Sequence, residues 1–319
     1  MNQCDRITIS IVDDAYVDML TNDQALADGR GYVKRHGLNY HFMPGSVPVQ
    51  ADGGFCLVID VYRGLRHKRI LIDGGYCTEI VLHNMELMGI DPATIDAAVL
   101  SHGHPDHLTG LTGVIKAIGH EVPLYVHPDA FIPRSILQPD GYSMDYINRA
   151  LSRQALTEAG ARIVEITQPV EIAPGFMLTG EIERVEEFEK EVPGGRVRFV
   201  DGRMEPDPIV DDIGFVANIK DKGLLAATMC GHAGIVNTVR HCCKIAGGEN
   251  KVFGAMGGFH LGHAAVSQEK INTTVQRLKE MDAQVVIPLH CSGMVTRLRV
   301  AEVLPEAYIS AGAATVLEF

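Results

Sequence analysis

The sequence predicts an α/β protein with mixed β-sheets, and three features of the residue pattern support this fold class. Short apolar runs with β-strand character alternate with segments of helical periodicity over most of the 319 residues. An early pair of strand-like runs meets across a short turn, which indicates antiparallel pairing. The later part of the chain repeats a strand–helix rhythm, which is typical of parallel strands covered by helices.

The first part of the chain supplies the antiparallel pair and the first strand–helix units. Apolar runs predict strands at residues 7–12, 55–61, 69–72, 97–100 and 124–126. The first strand ends at Asp13-Asp14, Arg63-Gly64 forms the turn of the antiparallel pair, and Asp73-Gly74-Gly75 stops its second strand. Helical spacing predicts helices at residues 78–88, with Gly89 as the stop, and at residues 108–118.

The second part of the chain continues the alternation. It predicts strands at residues 162–166, 176–179, 213–219, 223–229, 252–255 and 285–289, and helices at residues 267–281 and around 295–303. Residues 14–54 and 181–212 are rich in Gly, Asp, Pro or Glu, and are predicted as loop insertions in a single domain of residues 1–319. The Glu-rich run in the second stretch is typical of a solvated face, and a lid over an active site is the functional alternative.

Composition and charge exclude several classes of function. A hydrophobic content of 46% and a charged content of 21% are typical of a globular protein with a sizeable core, which excludes intrinsic disorder. The formal net charge of −12 argues against a nucleic-acid partner, because phosphate neutralisation requires clustered Lys and Arg. A small anionic substrate stays compatible with this charge, since a bound metal ion supplies local positive charge. The pattern leaves the oligomeric state open.

Cysteine usage and the N-terminal residues predict a cytoplasmic protein. The seven cysteines are odd in number and show no Cys-x-x-Cys spacing, which indicates reduced thiols rather than a disulfide framework. The first residues lack the charged and then apolar pattern of a secretory signal. No run approaches the roughly 18 consecutive apolar residues of a membrane span, so we expect no membrane partner.

The strongest chemical signal directly follows the apolar strand at residues 97–100. His102, His104, Asp106 and His107 lie at the carboxyl end of that strand, where a fixed backbone can aim side chains into one crevice. The alternating His102 and His104 can bind one metal ion, while Asp106 and His107 can face a second. Imidazole nitrogen combined with carboxylate oxygen favours Zn²⁺, with Mn²⁺ and Fe as alternatives.

This segment, His-x-His-x-Asp-His after a strand, resembles the signature of the metallo-β-lactamase superfamily. The earlier strand that ends in Asp73-Gly74-Gly75 is similar to the first motif of that superfamily. The resemblance implies an αββα sandwich, in which two mixed sheets are flanked by helices and a metal site lies along one edge. It also implies a hydrolase that uses a metal-activated hydroxide.

Four further segments resemble a narrower branch, which is named for 7,8-dihydropterin-6-methyl-4-(β-D-ribofuranosyl)aminobenzene-5′-phosphate synthase. These segments are residues 179–182, 230–237, 257–261 and 288–293. The resemblance therefore spans residues 55 to 293. It implies an alternative activity, a synthase reaction in pterin chemistry.

The remaining metal ligands must come from distant strands, because three imidazoles and one carboxylate are too few for two ions. His290 ends the strand at residues 285–289 and matches the last ligand position of the superfamily. His232 follows the strand at residues 223–229 and is also predicted as a ligand. In many members an Asp at that strand end bridges the two ions, whereas Cys230 and His232 stand there in this chain.

Three other residues complete the candidate set. Glu181 stands where the superfamily usually has a further His, and His260 follows a Gly-rich strand end, so both are candidate ligands or substrate contacts. Asp73 is predicted to orient a metal-bound His by accepting a hydrogen bond from its other ring nitrogen. Asp106 is the catalytic candidate, because it would orient the attacking water as well as bind metal. The helix expected after His232 begins with backbone N–H groups that suit an anionic part of the substrate.

These residues predict a hydrolase that holds one or two metal ions and acts on a small, anionic ester or phosphoester. Because the bridging Asp is absent, an iron-dependent oxidoreductase on the same fold is an alternative, and the identity of the bound metal would distinguish the two. A non-catalytic ligand-binding member of the same fold is another. The chain has no Gly-x-Ser-x-Gly or Gly-x₄-Gly-Lys-Ser/Thr motif, so the sequence does not support a serine hydrolase or a nucleoside triphosphatase.

Overall fold

The computed structural model describes residues 1–18, 20–36, 47–137, 143–145, 152–190, 195–248 and 251–319. Its strands are β1 Arg6–Asp13, β2 Gln24–Ala25, β3 Tyr32–Arg35, β4 Cys56–Arg63, β5 Arg66–Ile72, β6 Ala97–Leu100, β7 Val122–Val126, β8 Arg134–Leu137, β9 Ser143–Asp145, β10 Ala161–Glu165, β11 Val170–Ala173, β12 Phe176–Leu178, β13 Arg196–Val200, β14 Arg203–Pro206, β15 Phe215–Ile219, β16 Gly223–Thr228, β17 Val252–Gly258, β18 Val285–Leu289 and β19 Thr315–Glu318.

The helices of the described residues are α1 Thr78–Leu87, α2 Pro105–Leu108, α3 Leu111–Ile118, α4 Arg153–Ala159, α5 Ile235–Ile245, α6 Gln268–Glu280 and α7 Gly293–Val303. Short 3-10 turns occur at Ala27–Gly29, Pro92–Thr94, Pro128–Phe131, Glu187–Glu189 and His290–Ser292. Within the described residues, no helix combines the length and hydropathy needed to cross a lipid bilayer.

Two large mixed sheets form the centre of the molecule. The first has nine strands in the order β10-β7-β6-β5-β4-β1-β19-β3-β2, and the second has six in the order β11-β12-β15-β16-β17-β18. In the first sheet β4 and β5 pair antiparallel as the predicted hairpin, and β5, β6 and β7 run parallel. In the second sheet β15 and β16 pair antiparallel, while β16, β17 and β18 are parallel. The predicted mixture of pairings is confirmed.

The sheets stack face to face because their strands carry apolar side chains on both faces. On β1, Ile7, Ile9 and Ile11 point into the core between the sheets, where they join Phe176 and Phe215 from the second sheet. Each such side chain contributes about 1.5–3 kcal/mol when it is fully buried. Helices α1, α3 and α4 cover the outer face of the nine-stranded sheet, and α5, α6 and α7 cover the six-stranded sheet. The predicted αββα sandwich is confirmed.

The two stretches predicted as insertions contain ordered strands. In residues 14–54, β3 pairs antiparallel with the C-terminal strand β19 and so extends the nine-stranded sheet. In residues 181–212, β13 and β14 join β8 and β9 in a small third sheet. Residue 19, residues 37–46 and residues 191–194 of these stretches lie outside the described residues.

The helix predicted at residues 108–118 is divided into α2 and α3 by Gly110. A β-carbon at Gly110 would collide with the carbonyl oxygen of Gly74, so this close contact between backbones requires glycine. The N–H of Gly110 donates to the carbonyl of Gly75 at 3.0 Å. The loop that stops β5 therefore packs directly against the segment that carries the His cluster.

Candidate metal centre

The predicted ligand residues lie at the carboxyl ends of strands from both large sheets. The segment with His102, His104 and His107 follows β6 of the nine-stranded sheet, while His232 follows β16 and His290 follows β18 of the six-stranded sheet. Parallel strands end at the same edge of a sheet, so side chains that follow them converge. The structure brings these five histidines and Asp106 into one buried crevice.

One set of ligand atoms comes from His102, His104 and His232. The candidate ligand atoms of these residues lie within 4.8 Å of one another, and Nδ1 of His104 is 3.1 Å from Nε2 of His232. All three side chains are buried. Three converging nitrogens are the protein contribution expected at a tetrahedral Zn²⁺ ion that keeps one open position.

A second set comes from Asp106, His107 and His290, again with its ligand atoms within 4.8 Å of one another. Oδ2 of Asp106 lies 3.2 Å from Nε2 of His290 and 3.7 Å from Nε2 of His107. Asp106 is partly exposed while both rings are buried, so the carboxylate borders the solvent side of the set.

Cys230 lies between the two sets. Its Sγ forms a group with ring nitrogens of His102 and His107, one histidine from each set, within 4.8 Å. The side chain is 3% exposed, so the thiol is buried in the crevice. A deprotonated thiol binds metal ions, so Cys230 stands where it can contact an ion of either set.

Burial keeps the imidazoles of the first set neutral. It lowers the pKa of His104 to about 3 and, together with neighbouring rings, places the pKa values of His102 and His232 well below their ordinary value. A neutral imidazole has a free lone pair for a metal ion. Among the described residues, the buried Nε2 atom of His102 has no hydrogen-bond partner, which fits an ion at the first set.

The second set has the opposite electrostatics. Although burial opposes it, the charges of Asp106 and Asp73 raise the pKa of His107 to about 9. Burial alone would raise the pKa of the Asp106 carboxyl, but His107 and His290 hold it well below its ordinary value. The carboxylate is therefore ionised at neutral pH and ready to bind a cation.

Buried carboxylates hold the ligand segments in place. Asp73 accepts a hydrogen bond from Nδ1 of His107 at 2.7 Å and from the backbone N–H of Ser101 at 2.7 Å. The sequence analysis predicted such a hydrogen bond to a histidine ring, and the role of that histidine as a metal ligand stays a prediction. Asp14 accepts from the backbone N–H of His290 at 2.6 Å and pairs with Arg297 at 3.1 Å. The segment with His107 is therefore tied to the end of the neighbouring strand β5, and the segment with His290 to the end of β1 in the other large sheet.

Two further acids at the site were missed by the sequence analysis. Asp211 accepts from the backbone N–H of Gly103 at 2.9 Å and forms a buried ion pair with Arg134. Asp212 accepts from the backbone N–H of His232 at 2.6 Å, and burial raises the pKa of its carboxyl to about 7. Their signal was an acidic pair directly before a strand, but the pair fell within a stretch that was predicted as an insertion.

The remaining candidates have different positions. Glu181 is half exposed and its carboxylate lies 3.2 Å from Nε2 of His127, so the structure does not bring Glu181 into either set. The ring of His260 packs on His232 with centroids 4.3 Å apart, and its Nδ1 lies 3.5 Å from Sγ of Cys230. His260 is thus next to both sets without belonging to either.

The helix after His232 begins as expected, but its N-terminal N–H groups bind the protein's own carboxylate. Glu189 accepts from the backbone N–H of Val236 at 3.1 Å and of Asn237 at 2.8 Å. The predicted anion position is therefore filled by Glu189. The interpretation of the whole Glu-rich run as a solvated face is wrong for this residue, which is 3% exposed. Burial raises the pKa of its carboxyl to about 7.

A cleft leads from the surface to the second set. It has a volume of about 340 Å³ and is lined by His260, Gly262, His263, His290, Cys291 and Gly293. Ligand sites in proteins are typically concave, with a few polar groups that fix the orientation of the ligand. The cleft borders the second set at His290, whose side chain is otherwise buried.

The fold and the arrangement of histidines define the class of protein. The chain belongs to the metallo-β-lactamase superfamily, whose sequence model matches residues 49–201. It is 34% identical over 274 residues to the 7,8-dihydropterin-6-methyl-4-(beta-D-ribofuranosyl)-aminobenzene-5'-phosphate synthase of Methanocaldococcus jannaschii, covering 85% of this chain and 92% of that protein. Both parts of the resemblance predicted from the sequence are confirmed.

Two other proteins are similar over most of their length. An uncharacterized protein of Methanocaldococcus jannaschii is 31% identical over 244 residues, which is 76% of this chain and 85% of that protein. The crystal structure of Tm1679, described as a metal-dependent hydrolase of the beta-lactamase superfamily, superposes with a TM-score of 0.68 at 20% identity and covers 98% of both chains. At this identity the likeness supports the fold alone.

Proposed function

We propose that this protein is a metal-dependent hydrolase with a binuclear centre, and that it acts on a small, anionic ester or phosphoester. The observation that carries the proposal is the pair of ligand sets that share one buried crevice. One set consists of His102, His104 and His232, and the other of Asp106, His107 and His290. Six ligands from both sheets are more than a single structural ion requires.

The donor chemistry favours Zn²⁺ in both positions, with Mn²⁺ or Fe as alternatives. Imidazole nitrogen and carboxylate oxygen suit all three metals, and the nearby thiol of Cys230 shifts the preference towards the softer Zn²⁺. When bound, the ions would lower the pKa of a water molecule and stabilise the negative charge that develops on the substrate.

The protein residues have separate tasks in this proposal. Asp106 is ionised and partly exposed, so its carboxylate would accept a hydrogen bond from the attacking water and orient it. Asp73 accepts a hydrogen bond from Nδ1 of His107 and so would fix the ring with Nε2 towards an ion. Asp14 and Asp212 hold the backbones of His290 and His232.

Two observations support an anionic substrate. Burial is the main cause of the low pKa values of His104 and His232, and the charge of Arg196 lowers both further, so a guanidinium adds positive charge near the first set. The Methanocaldococcus jannaschii relative is named for a product that carries a 5'-phosphate. A guanidinium binds phosphate in a bidentate geometry, which makes a phosphate-bearing substrate the favoured class.

The same relative supplies a second candidate function, the synthase reaction in its name. It is favoured by the 34% identity over most of both chains. The two candidates are separated by their products, because a hydrolase releases an acid and an alcohol from one substrate, whereas a synthase joins two precursors.

We expect His104→Ala and Asp106→Asn each to lose bound metal and to abolish hydrolysis. The measurement combines elemental analysis of metal per chain with turnover on phosphomonoesters, phosphodiesters, thioesters and lactones. His120→Ala is the matched control, since His120 is exposed and hydrogen-bonds only to backbone carbonyls among the described residues. Full retention of metal and turnover in either site variant would refute the proposal.

A further inference from the structure

Three neighbouring parallel strands of the six-stranded sheet each end in a soft or borderline metal ligand. Cys230 follows β16, His260 follows β17 and Cys291 follows β18. The sequence analysis considered the first two separately and did not consider Cys291. Because adjacent parallel strands end at one edge, the topology places these three side chains together.

The distances within this group match those between ligands of a tetrahedral ion. Sγ of Cys230 lies 3.5 Å from Sγ of Cys291 and 3.5 Å from Nδ1 of His260. Around one Zn²⁺, two sulfur ligands would be about 3.8 Å apart, and a sulfur and a nitrogen ligand about 3.6 Å apart, given the usual bond lengths. The side chains therefore need only small shifts to bind a common ion.

The backbone around the group is shaped to bring the three residues together. His260 adopts a left-handed conformation with φ of 51°, which non-glycine residues rarely occupy. The N–H of Gly262 donates to the carbonyl of Cys291 at 2.9 Å, so the loop that carries His260 is tied to the end of β18. A β-carbon at Gly258 would lie 2.8 Å from Sγ of Cys291, so glycine leaves the space that the sulfur occupies.

We propose that Cys230, His260 and Cys291 form a further site for a soft or borderline metal ion such as Zn²⁺, next to the binuclear centre. Thiolates and imidazole are the ligands that select such ions. Three protein ligands leave a fourth position, and the 340 Å³ cleft is lined by His260 and Cys291, so this position faces the space where a small molecule would bind. Cys230 lies within ligand distance of His102 and His107, and His260 packs on His232, so this site adjoins the other two sets.

The proposal does not depend on hydrolysis. It predicts that substitutions in this site remove one bound ion while the ions of the other two sets remain. Cys291→Ser and His260→Asn remove one ligand each and leave all the ligand histidines of the other sets unsubstituted. Asn tolerates the left-handed conformation that His260 adopts, so this variant keeps the loop. Cys243→Ser is the control, because Cys243 is a partly buried thiol outside the group.

Protein purified under reducing conditions would be loaded with Co²⁺, and metal per chain would be measured together with the sulfur-to-cobalt charge-transfer absorption. We expect Cys291→Ser and His260→Asn each to bind one ion fewer than the wild type, and Cys291→Ser also to lose much of the absorption. Cys243→Ser should match the wild type. His104→Ala should lose metal but keep the absorption, which separates this site from the proposed catalytic pair.

Two results would overturn the proposal. One is an unchanged metal content and an unchanged charge-transfer absorption in Cys291→Ser. The other is a disulfide between Cys230 and Cys291, found by thiol titration and peptide mapping of protein kept under reducing conditions. Because His260→Asn leaves both thiols in place, it decides the question even if Cys291→Ser does not fold.

Discussion

Asp73 is the residue that most directly sets the orientation of a proposed metal ligand. Its carboxylate is fully buried, and it accepts hydrogen bonds from Nδ1 of His107 at 2.7 Å and from the hydroxyl of Ser101 at 2.8 Å. Its φ of 62° is left-handed, so the position favours Asp, Asn or Gly. The sharp turn after β5 is what turns this carboxylate back towards His107.

We expect Asp73→Asn to weaken metal binding at the set that contains His107. Asn keeps the size and backbone preference of Asp, but it loses the negative charge and one of the acceptors that hold the Nδ1 proton. Loss of such a partner lowers metal affinity by about 10- to 100-fold. The dissociation constant would be measured by competition with a chromophoric chelator. Asp221→Asn is the control, since Asp221 has a φ of 61° in an exposed turn; equal affinities for the two variants would contradict the expectation.

At the scale of residues, the sequence predicted those candidate site residues that directly follow apolar strands. His232 and His290 were found in this way. A polar residue directly after a buried strand must face a crevice, since burial without a partner costs free energy. Asp14 also follows a strand, but no spacing rule linked it to His290, which is 276 residues away in sequence. Cys291 was not considered separately, because a free cysteine is usually a small buried hydrophobic residue.

At the scale of elements, the segment 181–190 connects the surface to the candidate metal centre. Glu189 at its end fills the N-terminus of α5, and its carboxylate lies against Gly234, so a β-carbon at that glycine would overlap it. Lys270 and Glu186 are the charged groups that act on it most strongly. The segment is therefore held by one buried acid at the helix terminus.

We expect Glu189→Gln to change how the free energy of unfolding depends on pH. Burial raises the pKa of Glu189 from 4.5 to about 7 in the folded protein, so the folded state binds this proton more tightly than the unfolded chain. Stability therefore falls as the pH rises from about 4.5 to about 7, by up to about 3 kcal/mol, and the loss is complete above that range. The Gln variant lacks this loss.

The measurement is urea unfolding at about pH 5 and about pH 8. The difference in free energy of unfolding between Glu189→Gln and the wild type should shift in favour of the variant from about pH 5 to about pH 8, because only the wild type loses stability from this carboxyl. Glu187→Gln provides the control, because Glu187 is 87% exposed. Parallel pH profiles for the wild type and Glu189→Gln would show that the buried carboxyl does not titrate as expected.

Element boundaries were predicted well where they depend on local sequence and poorly where they depend on distant backbone. β6 and β18 match the predicted ranges of 97–100 and 285–289 because each is a short apolar run with polar flanks. The division of residues 108–118 at Gly110 was not predictable, since it results from close contact with Gly74, which is 36 residues away. Likewise β3 exists because β19 pairs with it.

At the scale of the whole molecule, the candidate metal centre joins the two large sheets. His102, His104 and His107 belong to the nine-stranded sheet, whereas His232 and His290 belong to the six-stranded sheet. Each proposed ligand set therefore contains residues from both. A periodic pattern predicts each sheet separately, but the way the sheets face each other follows from the interlocking of side chains such as Ile9 and Phe215 in the shared core.

Because the ligand sets bridge the sheets, we expect removal of metal to lower the melting temperature. An ion that binds only the folded state at about 1,000 times its dissociation constant adds about 4 kcal/mol to the free energy of unfolding. Calorimetry of metal-loaded protein, of chelated protein, and of chelated protein reloaded with Zn²⁺ should show a loss of several degrees that reloading restores. Removal of metal should lower the melting temperature of His104→Ala by less than that of the wild type, and that of His120→Ala by the same amount as the wild type. If protein proven free of metal melts at the temperature of the loaded protein, the ions do not link the two sheets.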